Sequence, residues 1–88
     1  MLMLDLTREA KRFLDTLPPK QFRQVVGKII SLMEDPMPQD SIQLKGNHRY
    51  RRADIGEYRI IYNTEDNCLK VYCIGKRNDS EVYKRFSK

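Results

Sequence analysis

The chain has 88 residues, with 17 Lys and Arg against 12 Asp and Glu, one His and no Trp, for a formal charge of +5. That length holds a single domain, residues 1–88, with a modest core, and a composition 40% apolar and 33% charged is that of a folded chain rather than a disordered one. The apolar runs are too short to span a membrane. Asp5 interrupts Met1–Leu4 before it reads as a signal peptide, so a cytoplasmic protein is expected.

Met1–Leu6 is predicted as a short first strand. Leu6, Ala10, Phe13, Leu14 and Leu17 then recur at helical spacing, with the Thr7 hydroxyl placed to cap the first turn. Pro18 ends this helix, and Pro19 suits the first turn of the next. Phe22, Val25, Val26, Ile29, Ile30 and Met33 form a second apolar stripe, opposite Lys20, Arg23, Gln24 and Lys28. A turn this short makes the two helices a hairpin. Pro36 and Pro38 stop the second helix, and a connector containing Leu44-Lys45-Gly46 runs to Asn47.

From Tyr50 the pattern changes to strand. Tyr50–Ile55 turns at Gly56-Glu57 into Tyr58–Tyr62, rich in aromatic and β-branched residues. A polar hairpin loop, Thr64–Asn67, leads to Cys68–Ile74, which Gly75 ends. Asp79 or Ser80 can cap a short terminal helix carrying Val82, Tyr83 and Phe86. The expected fold is α+β in the order β-α-α-β-β-β-α. The helix hairpin packs on one face of a small, mainly antiparallel sheet.

Cys68 and Cys73 fall in one strand. Five residues of strand span roughly 16–17 Å, well beyond the roughly 7 Å within which a disulfide closes. One His leaves no four-ligand zinc set, so no metal and no cofactor are expected. His48 reads as an exposed connector residue.

Charge is unevenly distributed. Residues 1–44 hold six basic and six acidic side chains, and residues 45–88 hold eleven basic and six acidic, so the whole excess lies in the second half. A basic half on a small domain suits a polyanionic partner, nucleic acid first.

Strand alternation turns Ala53 and Ile55 inward, and Tyr50, Arg52 and Asp54 to the face without helices. Arg59 falls mid-strand between the inward Tyr58 and Ile60. A cation there requires an anion or a carboxylate. An ion pair with Asp54 or Glu57 is the plain structural alternative to a ligand. Lys76 and Arg77 follow Gly75 at a strand end, where they can grip phosphate or simply face solvent. Tyr83 lies one helical turn past Asp79. No Ser/His/Asp set, phosphate loop or apolar carboxylate pair is present. A set of Arg, Lys and Tyr suits phosphodiester chemistry: arginines stabilise a phosphorane, a Tyr in a positive field has a lowered pKa, and RNA brings its own 2′-OH nucleophile.

Three stretches resemble the RelE/ParE toxin superfamily of toxin–antitoxin modules. They are Leu44-Lys45-Gly46, the run from Tyr50 through Gly56-Glu57-Tyr58-Arg59-Ile60-Ile61-Tyr62, and Ile74-Gly75-Lys76-Arg77-Asn78-Asp79-Ser80-Glu81-Val82-Tyr83. The last is more like the RelE branch than the gyrase-poisoning ParE branch. The resemblance implies a metal-independent endoribonuclease that enters the ribosomal A site and cuts mRNA through the 2′-OH. It also implies a protein antitoxin in a hetero-oligomer. By the same resemblance Arg59 stabilises the transition state, Arg77 serves the leaving group or phosphate, and Tyr83 is a general base or orienting group. Arg52, or Arg51 beside it, takes the family's basic strand position. Well-studied members carry a pair of lysines on that strand, and an Arg with a pKa above about 12 is a poor general base. Lys45, Arg49, Arg51, Lys76 and Lys84 are candidate RNA contacts. The rival readings are a ParE-like gyrase toxin, a catalytically degenerate RNA-binding homologue and a docking module.

Overall fold

A computed structural model describes residues 1–78, the side chains of Asn47 and His48 excepted. The predicted terminal helix lies outside the described residues. Strand β1, Met3–Leu6, leads into α1, Arg8–Asp15, and α2, Pro19–Glu34. Four strands follow: β2, Ser41–Leu44; β3, Asn47–Ile55; β4, Tyr58–Glu65; and β5, Cys68–Lys76. They form one five-stranded sheet in the order β1-β5-β4-β3-β2. β1 lies parallel to β5, and the other neighbours are antiparallel.

Thr7 caps α1 as expected. Its Oγ1 accepts from Ala10 N at 3.1 Å and donates to Tyr72 O at 2.7 Å, so one hydroxyl both starts the helix and fastens it to β5. Pro19 opens α2 at its first turn, where no helical N–H is needed. The buried stripe of α2 is Val25, Ile29 and Leu32. Ile30 lies outside it and is 48% exposed. Five residues beyond Val25 puts Ile30 about 140° round the helix, too far to face the sheet.

The core joins Ala10, Leu14, Val25, Ile29 and Leu32 of the helices to Ala53, Tyr58, Ile60, Tyr62, Leu69, Val71 and Ile74 of the sheet. All five helix residues meet one face only. On the other face Leu44, Ile61 and Cys73 form a smaller cluster bordered by Tyr50 and Tyr72. Cys68 and Cys73 are not bridged by a disulfide.

Several features depart from the sequence reading: β3 begins at Asn47, so His48 lies in a strand rather than the connector, and β5 runs through Gly75 to Lys76. The connector contains β2, whose Ser41, Ile42 and Gln43 pair with Ala53, Arg52 and Arg51. β4 runs on to Glu65, because its turn is only Asp66-Asn67, both at positive φ (53° and 62°), the pattern of a type I′ hairpin. Finally, Ile61 pairs with Cys73 but Tyr62 with Val71, so Tyr72 is an extra residue in a bulge and packs with the smaller cluster.

Candidate functional site

Register alone builds a row across the helix-free face. Asp54 of β3 pairs with Arg59 of β4, and Arg59 pairs with Gly75 of β5. The next row sets Arg52 opposite Ile61, and Ile61 opposite Cys73. Gly75 places no side chain beside the Arg59 guanidinium.

Arg59 meets a carboxylate, as a cation in mid-strand requires. Its Nε donates to Asp54 Oδ1 at 2.8 Å and its Nη2 to Oδ2 at 3.1 Å, with side-chain exposures of 12% and 31%. The hydrogen bond from Arg59 holds the Asp54 carboxyl below its ordinary pKa. Partial burial opposes this, and the charges of Arg59, Arg52 and Arg77 add to it. Three cations therefore act on one carboxylate. Arg77 follows the last residue of β5 and is tied to the β3–β4 turn. Its backbone N donates to Glu57 O at 2.7 Å, and its Nη1 to Gly56 O at 3.4 Å.

The remaining candidates lie apart from this group. Arg51 has the opposite strand parity to Arg52. It reaches sideways to β2, donating from Nη2 to Ser41 O at 3.0 Å and Ser41 Oγ at 2.9 Å. Of the two arginines considered for the basic strand position, Arg52 is thus the one on the face of Arg59. Arg49 pairs with Glu65 at 3.0 Å on an exposed edge. Lys45 is exposed in the β2–β3 turn, and Lys76 is exposed at the end of β5, opposite Tyr58. Tyr83 and Lys84 lie outside the described residues.

Tyr50 and Tyr72 form an edge-to-face pair on this face, with centroids 4.9 Å apart. Burial, and then the hydrogen bond with Tyr50, raise the Tyr72 phenol above its ordinary pKa. Among the described residues no group of three or more His, Cys, Asp or Glu is placed to hold a metal, and no helix is long and apolar enough to cross a membrane.

Asp54 was not among the sequence-predicted site residues, yet the signal for it was present. A two-residue turn at Gly56-Glu57 makes Ile55 and Tyr58 the closing pair, so Asp54 and Arg59 must stand directly opposite each other.

Comparison with known proteins identifies relatives of the same fold. The family described as "ParE toxin of type II toxin-antitoxin system, parDE" matches residues 4–81. The isolated RelE toxin of E. coli is similar with a TM-score of 0.78 at 23% identity, over 99% of this chain and 96% of that one. A chain of the archaeal RelE–RelB complex from Pyrococcus horikoshii is similar with a TM-score of 0.73 at 26% identity, over 86% and 94%. One of the Mycobacterium tuberculosis toxin–antitoxin complex RelBE2 gives 0.75 at 24%, over 86% and 98%. No curated protein sequence matches the chain.

Proposed function

The chain belongs to the ParE toxin family of type II toxin–antitoxin systems, within the RelE/ParE superfamily, and on that premise we propose that it is a cytoplasmic toxin that cuts messenger RNA in the ribosomal A site and is neutralised by a protein antitoxin. The observation that supports this reading is Arg59 paired with Asp54 on the helix-free face, with Arg52 in the next row and Arg77 fastened to the β3–β4 turn. Guanidiniums at this end of the sheet suit a phosphate whose charge increases in the transition state.

In the proposed reaction the 2′-oxygen attacks the adjacent phosphorus and the bond from phosphorus to the 5′-oxygen breaks. A 2′,3′-cyclic phosphate and a 5′-hydroxyl result. One proton leaves the 2′-OH and one arrives on the departing oxygen, while Arg59 and Arg52 hold the phosphorane charge. Arg77 serves the leaving group and Tyr83 the 2′-OH proton. Lys45, Arg49, Arg51, Lys76 and Lys84 are the proposed contacts along the RNA backbone, which would make binding steeply salt-dependent. Relatives of the same fold occur as RelE–RelB complexes, which supports an antitoxin as the partner in a hetero-oligomer.

The matched family's description, a ParE toxin, favours a second reading: a toxin acting on DNA gyrase. Primer extension on a translated messenger separates the two, with wild type beside Arg59→Ala and Tyr83→Phe. The proposal expects ribosome-dependent cuts that Arg59→Ala abolishes. Growth arrest with an intact messenger would sink it and turn attention to gyrase supercoiling. An intact messenger with normal growth would point to a degenerate RNA binder or a docking module.

A further inference from the structure

We infer that Asp54 is a positioning residue, whose clamp on Arg59 fixes the guanidinium in the orientation in which it meets a phosphate on the helix-free face. The inference rests on the RNA-cleavage reading and deepens it. An arginine guanidinium has two paired-donor edges, one formed by Nε and Nη2 and one by Nη1 and Nη2. Asp54 takes the one formed by Nε and Nη2, at 2.8 and 3.1 Å, which directs Nη1 away from the carboxylate. The clamp comes from the β3 side, since the β5 partner in the same row is Gly75, with no side chain to steer Arg59.

A carboxylate beside a phosphate site repels the phosphate. Orientation, however, bears on the reacting geometry, where a displacement of the order of 1 Å costs about 100-fold in rate. Positioning therefore has a signature that simple loss of structure lacks. Without the Asp54 charge, RNA binds at least as tightly while cleavage slows. The Asp54 carboxyl remains ionised because Arg59, Arg52 and Arg77 all favour its charged form, so the clamp persists at neutral pH.

The test is single-turnover cleavage of a messenger on programmed ribosomes by the full-length chain. Wild type, Asp54→Asn, Arg59→Ala and the double variant are compared. Asp54→Asn is expected to slow cleavage about 10- to 100-fold with affinity unchanged or tighter, and to cost nothing further in the Arg59→Ala background. An unchanged rate, or losses that multiply in the double variant, would overturn the inference. Asp54→Glu keeps the charge but displaces the guanidinium, so it also slows cleavage without weakening binding; a wild-type rate there would equally overturn it. The nitrogen-15 spectrum of the Arg59 Nε–H supplies a readout independent of activity. Its resonance should move in Asp54→Asn while the backbone spectrum is kept, and an unmoved resonance refutes the clamp. If wild type cuts nothing and the resonance still responds, the cleavage reading fails and the clamp stands.

Discussion

Tyr62→Phe isolates one hydrogen bond. The Tyr62 ring is fully buried in the main core, and its hydroxyl donates to the carbonyl of Pro36 at 2.6 Å, pinning the connector that leaves α2 and becomes β2. Phenylalanine keeps the ring and every apolar contact, so no cavity opens. The lost term is one intramolecular hydrogen bond, about 1 kcal/mol net. Pro36 is half-buried, and the expected loss is that of the single hydrogen bond. For a domain of this size about 1 kcal/mol corresponds to a fall in Tm of roughly 4–8 °C. Tyr62→Ala, which empties the site, would cost about 3–5 kcal/mol, as large aromatic truncations do. Urea unfolding should give the smaller figure with an unchanged slope, and hydrogen exchange should quicken at the amides of β2. A stability change below about 0.3 kcal/mol, or β2 amides as protected as in wild type, would refute the claim that this bond holds the connector.

The Asp54–Arg59 pair gives a pH dependence of definite sign. Its carboxyl is depressed in the folded chain from the ordinary 3.8, so its stabilisation is fully present above that value. It is lost as pH falls through the lower folded value. Asp54→Asn should therefore flatten the acid limb of the stability curve, and an unaltered limb would contradict the assignment. Gly56→Ala forces a Cβ onto a residue at φ +55°, 2.7 Å from the flexible end of Gln24. The side chain can yield but the backbone cannot, so a loss of about 1–2 kcal/mol is expected, and Gln24→Ala should recover little of it. Ile60→Ala, at a fully buried position, should cost about 2–5 kcal/mol. Ile42→Ala, 48% exposed on edge strand β2, should stay within about 0.5 kcal/mol. Equal losses at the two would show that the burial pattern is misassigned.

The parts of this fold legible in the sequence are those set by local rules. Pro18-Pro19 divides two helices, Thr7 caps the first, and the Gly56-Glu57 turn fixes which residues of β3 and β4 share a face. From that turn, the common face of Arg52 and Arg59 follows by counting in twos. The features that escaped depend on neighbours distant in the chain. β2 has four residues and no strong strand composition, and it exists because β3 offers an edge to pair with. The bulge at Tyr72 changes the parity of β5 without any glycine to mark it. The resemblance left Arg51 and Arg52 as alternatives for one role, and strand alternation from Ala53, which faces the core, assigns them to opposite faces. The site was legible as a set of cations. The carboxylate paired with Arg59 was visible only as a way of explaining one of them.

The strand order has a consequence for how the protein is made. β5 lies between β4 and β1, and Met3 is paired with Cys68. On a ribosome the first strand therefore emerges long before its partner exists, and some sixty residues must follow before the parallel edge can close. The same late strand delivers Arg77 to the turn at Gly56 and Glu57. Arg77 reaches this turn only once β5 has left the exit tunnel, so an unfinished chain carries Arg52 of β3 and Arg59 of β4 without it.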